Sequence, residues 1–216
     1  MTIRRDPPHP FTQYEIHNMQ NPPIVCLGVN HRTAPVEVRE RLACSLEQLL
    51  PVGAPFGEVL LLSTCNRLEL YACSPAGPDG LEEALTGLLC RATGVGEDEL
   101  AGHLYTQRGW DAAAHLLRVS TGLDSLVLGE PQILGQVTDA FMQATEAGSL
   151  GHCLTQLFRA AIRAGKRARS ETAISANPAS ISSVALALAQ QHAGDLRRRR
   201  VLVIGAGEMG RLTLKS

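Results

Sequence analysis

Glu58-Val-Leu-Leu-Leu-Ser-Thr-Cys-Asn-Arg-Leu-Glu-Leu-Tyr71 is the stretch on which the reading of this chain turns. An apolar run, Val59 to Leu62, stops at Ser63-Thr64-Cys65-Asn66-Arg67, and a second run alternates Leu68 and Leu70 with Glu69 and Tyr71. Two strand-like runs joined by a short polar segment predict a hairpin, or a strand–loop–strand unit, with a cysteine at its apex. A thiol is nucleophilic only as thiolate, a form favoured beside a cation such as Arg67 and in a partly open site. The alternative for Cys65 is a small buried hydrophobe at a strand end.

The surrounding composition narrows the classes. Among 216 residues, 44% are hydrophobic and 19% charged, which suits a globular chain with a real core. A net charge of −1 exerts no global pull on nucleic acid, so any such contact must come from a local patch. One Trp, three Tyr and four Phe are too few for a base-stacking platform. Six cysteines without Cys-x-x-Cys spacing or a secretory leader predict reduced thiols and a cytoplasmic chain. No apolar run approaches the roughly 20 residues that span a bilayer.

Working outward from the hairpin, residues 1–23 read as a disordered N-terminal extension rich in proline, with Met19 as a candidate start. Ile24 to Asn30 reads as a strand, Val36 to Leu42 as a short exposed helix, and Ser45 as the N-cap of Leu46–Leu50, which Pro51 ends. Leu81, Leu85, Leu88 and Leu89 mark an amphipathic helix stopped near Gly94, and His103 to Gln107 a short strand. This mixture predicts a compact α+β unit. Helical spacing then dominates: Trp110, Ala113, Ala114 and Leu117; Ile133 to Ala147; Cys153 to Ala173; and an Ala-rich helix capped near Asn177-Pro178 that runs to about His192. The third of these gathers Arg159, Arg163, Lys166, Arg167 and Arg169 opposite its apolar face, as either a phosphate-binding or a solvated face.

Val201 to Ile204 predicts a short buried strand, followed by Gly205-Ala206-Gly207-Glu208-Met209-Gly210. Strand, Gly-x-Gly-x-x-Gly and helix start is the order a dinucleotide fold uses to bring backbone N–H groups to a pyrophosphate. The sequence ends six residues later, so only the truncated start of a Rossmann-type α/β domain is expected.

Three blocks carry a resemblance: Leu27-Gly-Val-Asn-His-Arg-Thr-Ala-Pro35, Ser63-Thr-Cys-Asn-Arg67 and Thr121-Gly-Leu-Asp-Ser-Leu-Val-Leu-Gly-Glu-Pro-Gln-Ile-Leu-Gly-Gln136. In this order, and with the Gly-rich loop, the chain from Ile24 to Gly210 resembles glutamyl-tRNA reductase. The resemblance implies an α+β catalytic domain with an appended helical bundle over residues 24–175. A linker helix and the first strand and Gly-rich loop of an NADPH domain would occupy 176–216. It implies NADPH-dependent reduction of glutamyl-tRNA(Glu) to glutamate-1-semialdehyde, the first step of C5-pathway tetrapyrrole synthesis. Homodimerisation through a later domain and contact with the downstream semialdehyde aminomutase also belong to the family. A chain that only binds or deacylates glutamyl-tRNA is the alternative.

By the same resemblance, Cys65 attacks the glutamyl carbonyl to form a thioester and His115 stands near it. Thr64, Asn66, Arg67, Ser125, Glu130, Pro131, Gln132 and Gln136 contact substrate, while Gly205, Ala206, Gly207, Glu208, Met209 and Gly210 hold NADPH. No metal is implied. Each has a plainer reading. Arg67, whose fork suits a carboxylate, could form a surface ion pair with Glu69. Thr64 and Asn66 could satisfy a turn, His115 could pair with Asp111 one helical turn away, and Glu130-Pro131 could simply start a helix. Leu68 departs from the hydroxyl residue common in the family.

Overall fold

The structure is a computed structural model that describes residues 21–50, 57–175 and 181–204, with side chains for all of these except 175 and 181–184. Residues 1–20 of the expected 1–23 extension, Pro51, the Asn177-Pro178 cap and Gly205–Gly210 lie outside the described residues.

Strand β1 (Ile24–Asn30) is followed by helices α1 (Val36–Leu42) and α2 (Leu46–Leu49). The hairpin β2 (Glu58–Ser63) and β3 (Arg67–Cys73) comes next, then α3 (Leu81–Thr93), α4 (Glu97–Leu100) and β4 (Tyr105–Arg108). The strands form one antiparallel sheet in the order β2-β3-β1-β4. β3 is therefore inserted between β1 and β2, a split β-α-β arrangement. A helical part follows: α5 (Gly109–Ser120), α6 (Gln132–Glu146), α7 (His152–Glu171), a 3-10 turn (Ala173–Ser175), α8 (Ile181–Ala193) and a second 3-10 turn (Leu196–Arg198).

Local chemistry accounts for several of these bounds. Ser45 caps α2 by accepting from the Gln48 N–H while the Gln48 side chain accepts from the Ser45 N–H, a reciprocal capping box. The four leucines of α3 are all buried, and Gly94 ends the helix at φ +72°, a conformation glycine enters without a Cβ penalty. In α7, Leu154, Phe158 and Ala161 are buried on one stripe. Phe158 meets Tyr71 of β3 edge-on at 5.2 Å and stacks on Phe141 of α6 at 6.4 Å.

The alternation in β3 predicts one solvated face, but all seven of its residues are buried. α1 and α3 pack on β3, and α3 on β1. α5 packs on β1 and β4, and α6 and α7 pack on β2. Glu69 and Tyr71 accordingly point into the protein, beneath α5 and α7. The predicted face of α5 is also displaced. Ala112, Ala113, Leu116 and Val119 form the buried stripe, while Trp110 and Leu117 are exposed, because the sheet and α7 are approached by the 112/116/119 row. Val201–Ile204 is not a buried strand: Val201, Leu202 and Ile204 are exposed and Val203 half-buried, and among the described residues no strand pairs with the segment. Backbone N–H and C=O groups without ladder partners are costly to bury, which opposes burial of the segment.

Candidate functional site

The three distinctive sequence blocks converge at one end of the sheet. Asn30 and Arg67 are register partners across β1 and β3, and the His31 N–H donates to the Asn66 carbonyl at 2.9 Å. Thr64 shapes the β2–β3 turn: its Oγ1 accepts from the Asn66 N–H at 3.2 Å and the Arg67 N–H at 3.1 Å. Its backbone N–H donates to the Arg67 carbonyl at 2.8 Å. The turn reading of Thr64 is thus realised, and it holds Cys65 outward at the apex.

Cys65 is the one exposed cysteine of the six. Burial pushes the thiols of Cys26, Cys90 and Cys153 up, that of Cys44 to about 11 and that of Cys73 to about 12. All five hold little thiolate, and Cys26 and Cys73 are also closed off from solvent.

Arg67 is almost wholly buried. Its Nη1 donates to Glu69 Oε1 at 2.6 Å, and its Nη2 donates to the Asp124 carbonyl at 2.6 Å and to Asp124 Oδ2 at 3.0 Å. The ion pair with Glu69 is present but internal rather than on the surface. Asp124 Oδ1 also accepts from Arg32 at 2.8 Å, so the first and third blocks are tied to the turn through Arg67 and Asp124. Ser125 follows Asp124. Its Oγ is buried without a hydrogen-bond partner among the described residues, an unsatisfied polar atom beside the turn.

Glu69 is the centre beneath this surface. Oε1 accepts from Arg67, from the Tyr105 hydroxyl at 2.6 Å and from His115 Nε2 at 2.9 Å; Oε2 accepts from the Tyr71 hydroxyl at 2.7 Å. Burial alone would raise its pKa, but the His115 hydrogen bond and the Arg67 charge outweigh it and bring the carboxyl down to about 2. An ionised carboxylate only accepts, so His115 Nε2 carries a proton and Nδ1 is the nitrogen left for other chemistry. His115 therefore pairs with Glu69, not with Asp111.

Gly28 makes this cluster possible. It lies opposite Glu69 in β3 and Tyr105 in β4, and a Cβ there would approach the Leu68 carbonyl oxygen to 2.5 Å and Glu69 Cγ to 2.9 Å. Sequence reading treats Glu69 as no more than an ion partner. The available signal is a carboxylate in the middle of a strand, flanked by leucines, two residues from an arginine. Cys26, Glu69 and His115 each bring a possible metal-ligand atom within 4.8 Å of the others. A guanidinium already bound to the same carboxylate opposes a second cation there.

Glu130, Pro131, Gln132 and Gln136 lie at the start of α6. Glu130 is buried, and Pro131 is the N-cap rather than the first helical residue. Gln132 and Gln136 are half-buried one turn apart, and a cavity of about 290 Å³ reaches both Ser63 and Gln136. Arg169 of α7 braces this corner by donating to the carbonyls of Glu130 at 3.1 Å and Pro131 at 2.7 Å.

Comparison with known proteins agrees with these features. The family model for the glutamyl-tRNA(Glu) reductase N-terminal domain matches residues 27–172. Glutamyl-tRNA reductase of Pelotomaculum thermopropionicum is 47% identical over 198 residues, covering 89% of this chain and 44% of that protein. The Akkermansia muciniphila enzyme of the same name is 45% identical over 196 residues, covering 88% and 57%. The solved glutamyl-tRNA reductase of Methanopyrus kandleri superposes with a TM-score of 0.65 at 36% identity, covering 91% of this chain and 46% of that one. The chain spans about half the length of the curated relatives it matches. With its α+β sheet domain, its exposed Cys65 turn and the 121–136 segment tied to it, the chain belongs to the glutamyl-tRNA reductase family.

Proposed function

We propose that this chain carries the acyl-transfer site of a glutamyl-tRNA reductase, with Cys65 as the nucleophile. The observation that carries this reading is the exposure of Cys65, alone among six cysteines, at a turn built by Thr64 and anchored by Arg67. The Cys65 thiolate attacks the ester carbonyl joining glutamate to tRNA. An S–C bond forms, the tRNA oxygen leaves and takes a proton, and glutamate remains as a thioester, the two-step route that nucleophilic catalysis provides.

In this reading Ser125 Oγ, Asn66 and the Gln132/Gln136 pair contact the substrate, with Thr64, Glu130 and Pro131 shaping the rim. Arg67 presents positive potential from below while held by Glu69 and Asp124. His115, fixed as the Nε2–H tautomer, has only Nδ1 to exchange a proton with the site. Gly205–Gly210 are the residues that would hold the pyrophosphate of NADPH, which when bound would supply the hydride chemistry needed to take the thioester to glutamate-1-semialdehyde. The division into a catalytic unit over 24–175 and a cofactor-domain start over 176–216 belongs to the same proposal, as do a cytoplasmic location, a homodimer and hand-over to an aminomutase.

The second reading is that the 216 residues bind or deacylate glutamyl-tRNA: acyl transfer to Cys65 is followed by loss of glutamate to water, without reduction.

The test is turnover of glutamyl-tRNA by the purified chain and by Cys65→Ser, with and without NADPH. Tracking free tRNA and semialdehyde separates the readings. Cys65-dependent deacylation without semialdehyde supports the second, and semialdehyde formation supports the first. Equal deacylation by both proteins contradicts either.

A further inference from the structure

Helix α7 concentrates positive charge that the acyl-transfer site does not use. Arg159, Arg163, Lys166 and Arg167 are exposed along it at spacings of four, three and one residues, a stripe down one side of the helix. The only acidic residue of α7 is Glu171, and Arg167 is paired with it. Among the described residues, Arg159, Arg163 and Lys166 have no carboxylate within ion-pair distance. In a chain of net charge −1, three adjacent uncompensated cations are a local field rather than a share of a general excess.

The position of the stripe gives it a purpose. Arg169, two residues beyond Arg167, turns the other way and grips the Glu130 and Pro131 carbonyls. Gly165 lets α7 lie against the Ser120 carbonyl, where a Cβ would approach to 2.6 Å, at the entry to the 121–131 segment. The helix that carries the stripe thus also braces the segment that contains Ser125.

We propose that Arg159, Arg163 and Lys166 form a docking surface for the phosphate backbone of the tRNA whose acylated end reaches Cys65. This rests on the reading of the chain as acting on glutamyl-tRNA. Arg159, Arg163 and Lys166 offer charge to phosphate oxygens, contacts that position the nucleic acid without selecting base identity. It supplies affinity that is strongly salt-dependent and equal for charged and uncharged tRNA.

The experiment is titration of the full 216-residue chain with unacylated tRNA, followed by fluorescence anisotropy across a KCl series. The proteins are the unsubstituted chain, R159Q/R163Q/K166Q, the charge-preserving R159K/R163K/K166R, and R197Q/R198Q/R199Q/R200Q, which removes a separate arginine run. The expected result is a Kd raised at least about tenfold in the first variant. Its log–log salt slope should be shallower by about 2 to 3, as loss of three phosphate contacts requires. The charge-preserving variant and the Arg197–Arg200 variant should keep the native slope. An unchanged slope in R159Q/R163Q/K166Q, or equal weakening in the Arg197–Arg200 variant, overturns the proposal. So does loss of self-association without loss of tRNA binding, which assigns the stripe to a second copy of the chain. If the stripe variant binds tRNA normally while Cys65 is still acylated, the docking surface fails and the functional reading stands. If the stripe governs tRNA binding but Cys65 takes no glutamate, the functional reading fails alone.

Discussion

Glu69 and His115 lie 46 positions apart in sequence and meet at 2.9 Å, with Glu69 wholly buried and His115 nearly so. This contact joins the Cys65 hairpin to α5, and through Arg67 it reaches the surface that carries the thiol. Four donors converge on one carboxylate, so its removal strands several buried polar groups together.

Glu69→Gln keeps the shape of the side chain but leaves Arg67 with only Asp124 as counter-charge. Breaking a buried ion pair by removing one partner costs about 3–5 kcal/mol, and urea unfolding should show a loss of that order. A change under about 1 kcal/mol would mean that solvent or another group compensates Arg67.

The same carboxylate sets an acid limit. Its folded pKa, about 2, lies below its ordinary value of 4.5. Its contribution is therefore fully present above pH 4.5 and is lost as pH falls from 4.5 towards 2. Unfolding free energy measured from pH 6 downward should drop across that window. In Glu69→Gln the drop should be smaller, and an identical pH profile in both proteins would remove Glu69 as its source.

Gly28→Ala tests the geometry without touching charge. The new methyl would crowd the Leu68 carbonyl and Glu69 Cγ, and overpacking of this kind costs about 1–3 kcal/mol. A lowered thermal midpoint is expected, with faster alkylation of buried Cys26, whose neighbour across β3 is Tyr71. A midpoint equal to that of the unsubstituted chain would contradict the close approach of β1 to β3.

Thiol chemistry should be selective. Limiting iodoacetamide under native conditions is expected to modify Cys65 first, half-buried Cys44, Cys90 and Cys153 more slowly, and buried Cys26 and Cys73 last. Peptide mapping reads this directly. First modification at Cys44 or Cys90 would show that the turn shields Cys65.

The parts of the fold legible in the sequence are those governed by short-range rules. The β2–β3 hairpin, the Ser45 N-cap and the leucine face of α3 all follow from neighbours within a few residues. The internal role of Glu69 was not legible. Alternation assigns it to a solvated face, and only the approach of α5 and β4 from distant sequence supplies Tyr105 and His115. Trp110 and Leu117 misled for a related reason: apolar residues at helical spacing do not say which row meets the sheet. Val201, Leu202 and Ile204 show the limit of a buried-strand pattern, because a short apolar run does not itself say what covers it. At the site, the position of Cys65 was legible from its polar turn. The hold of Asp124 on Arg67 was not, since 57 positions separate them.

The most direct test is to trap the acyl-enzyme. The full chain is mixed with excess glutamyl-tRNA bearing labelled glutamate, quenched in acid within the first turnover, digested and mapped by mass spectrometry. A labelled glutamyl group on the peptide containing Cys65, absent from Cys65→Ser and released by hydroxylamine, is the predicted result. Label on another cysteine, or none while tRNA is still deacylated, would contradict the assignment of Cys65 as the acyl-accepting nucleophile.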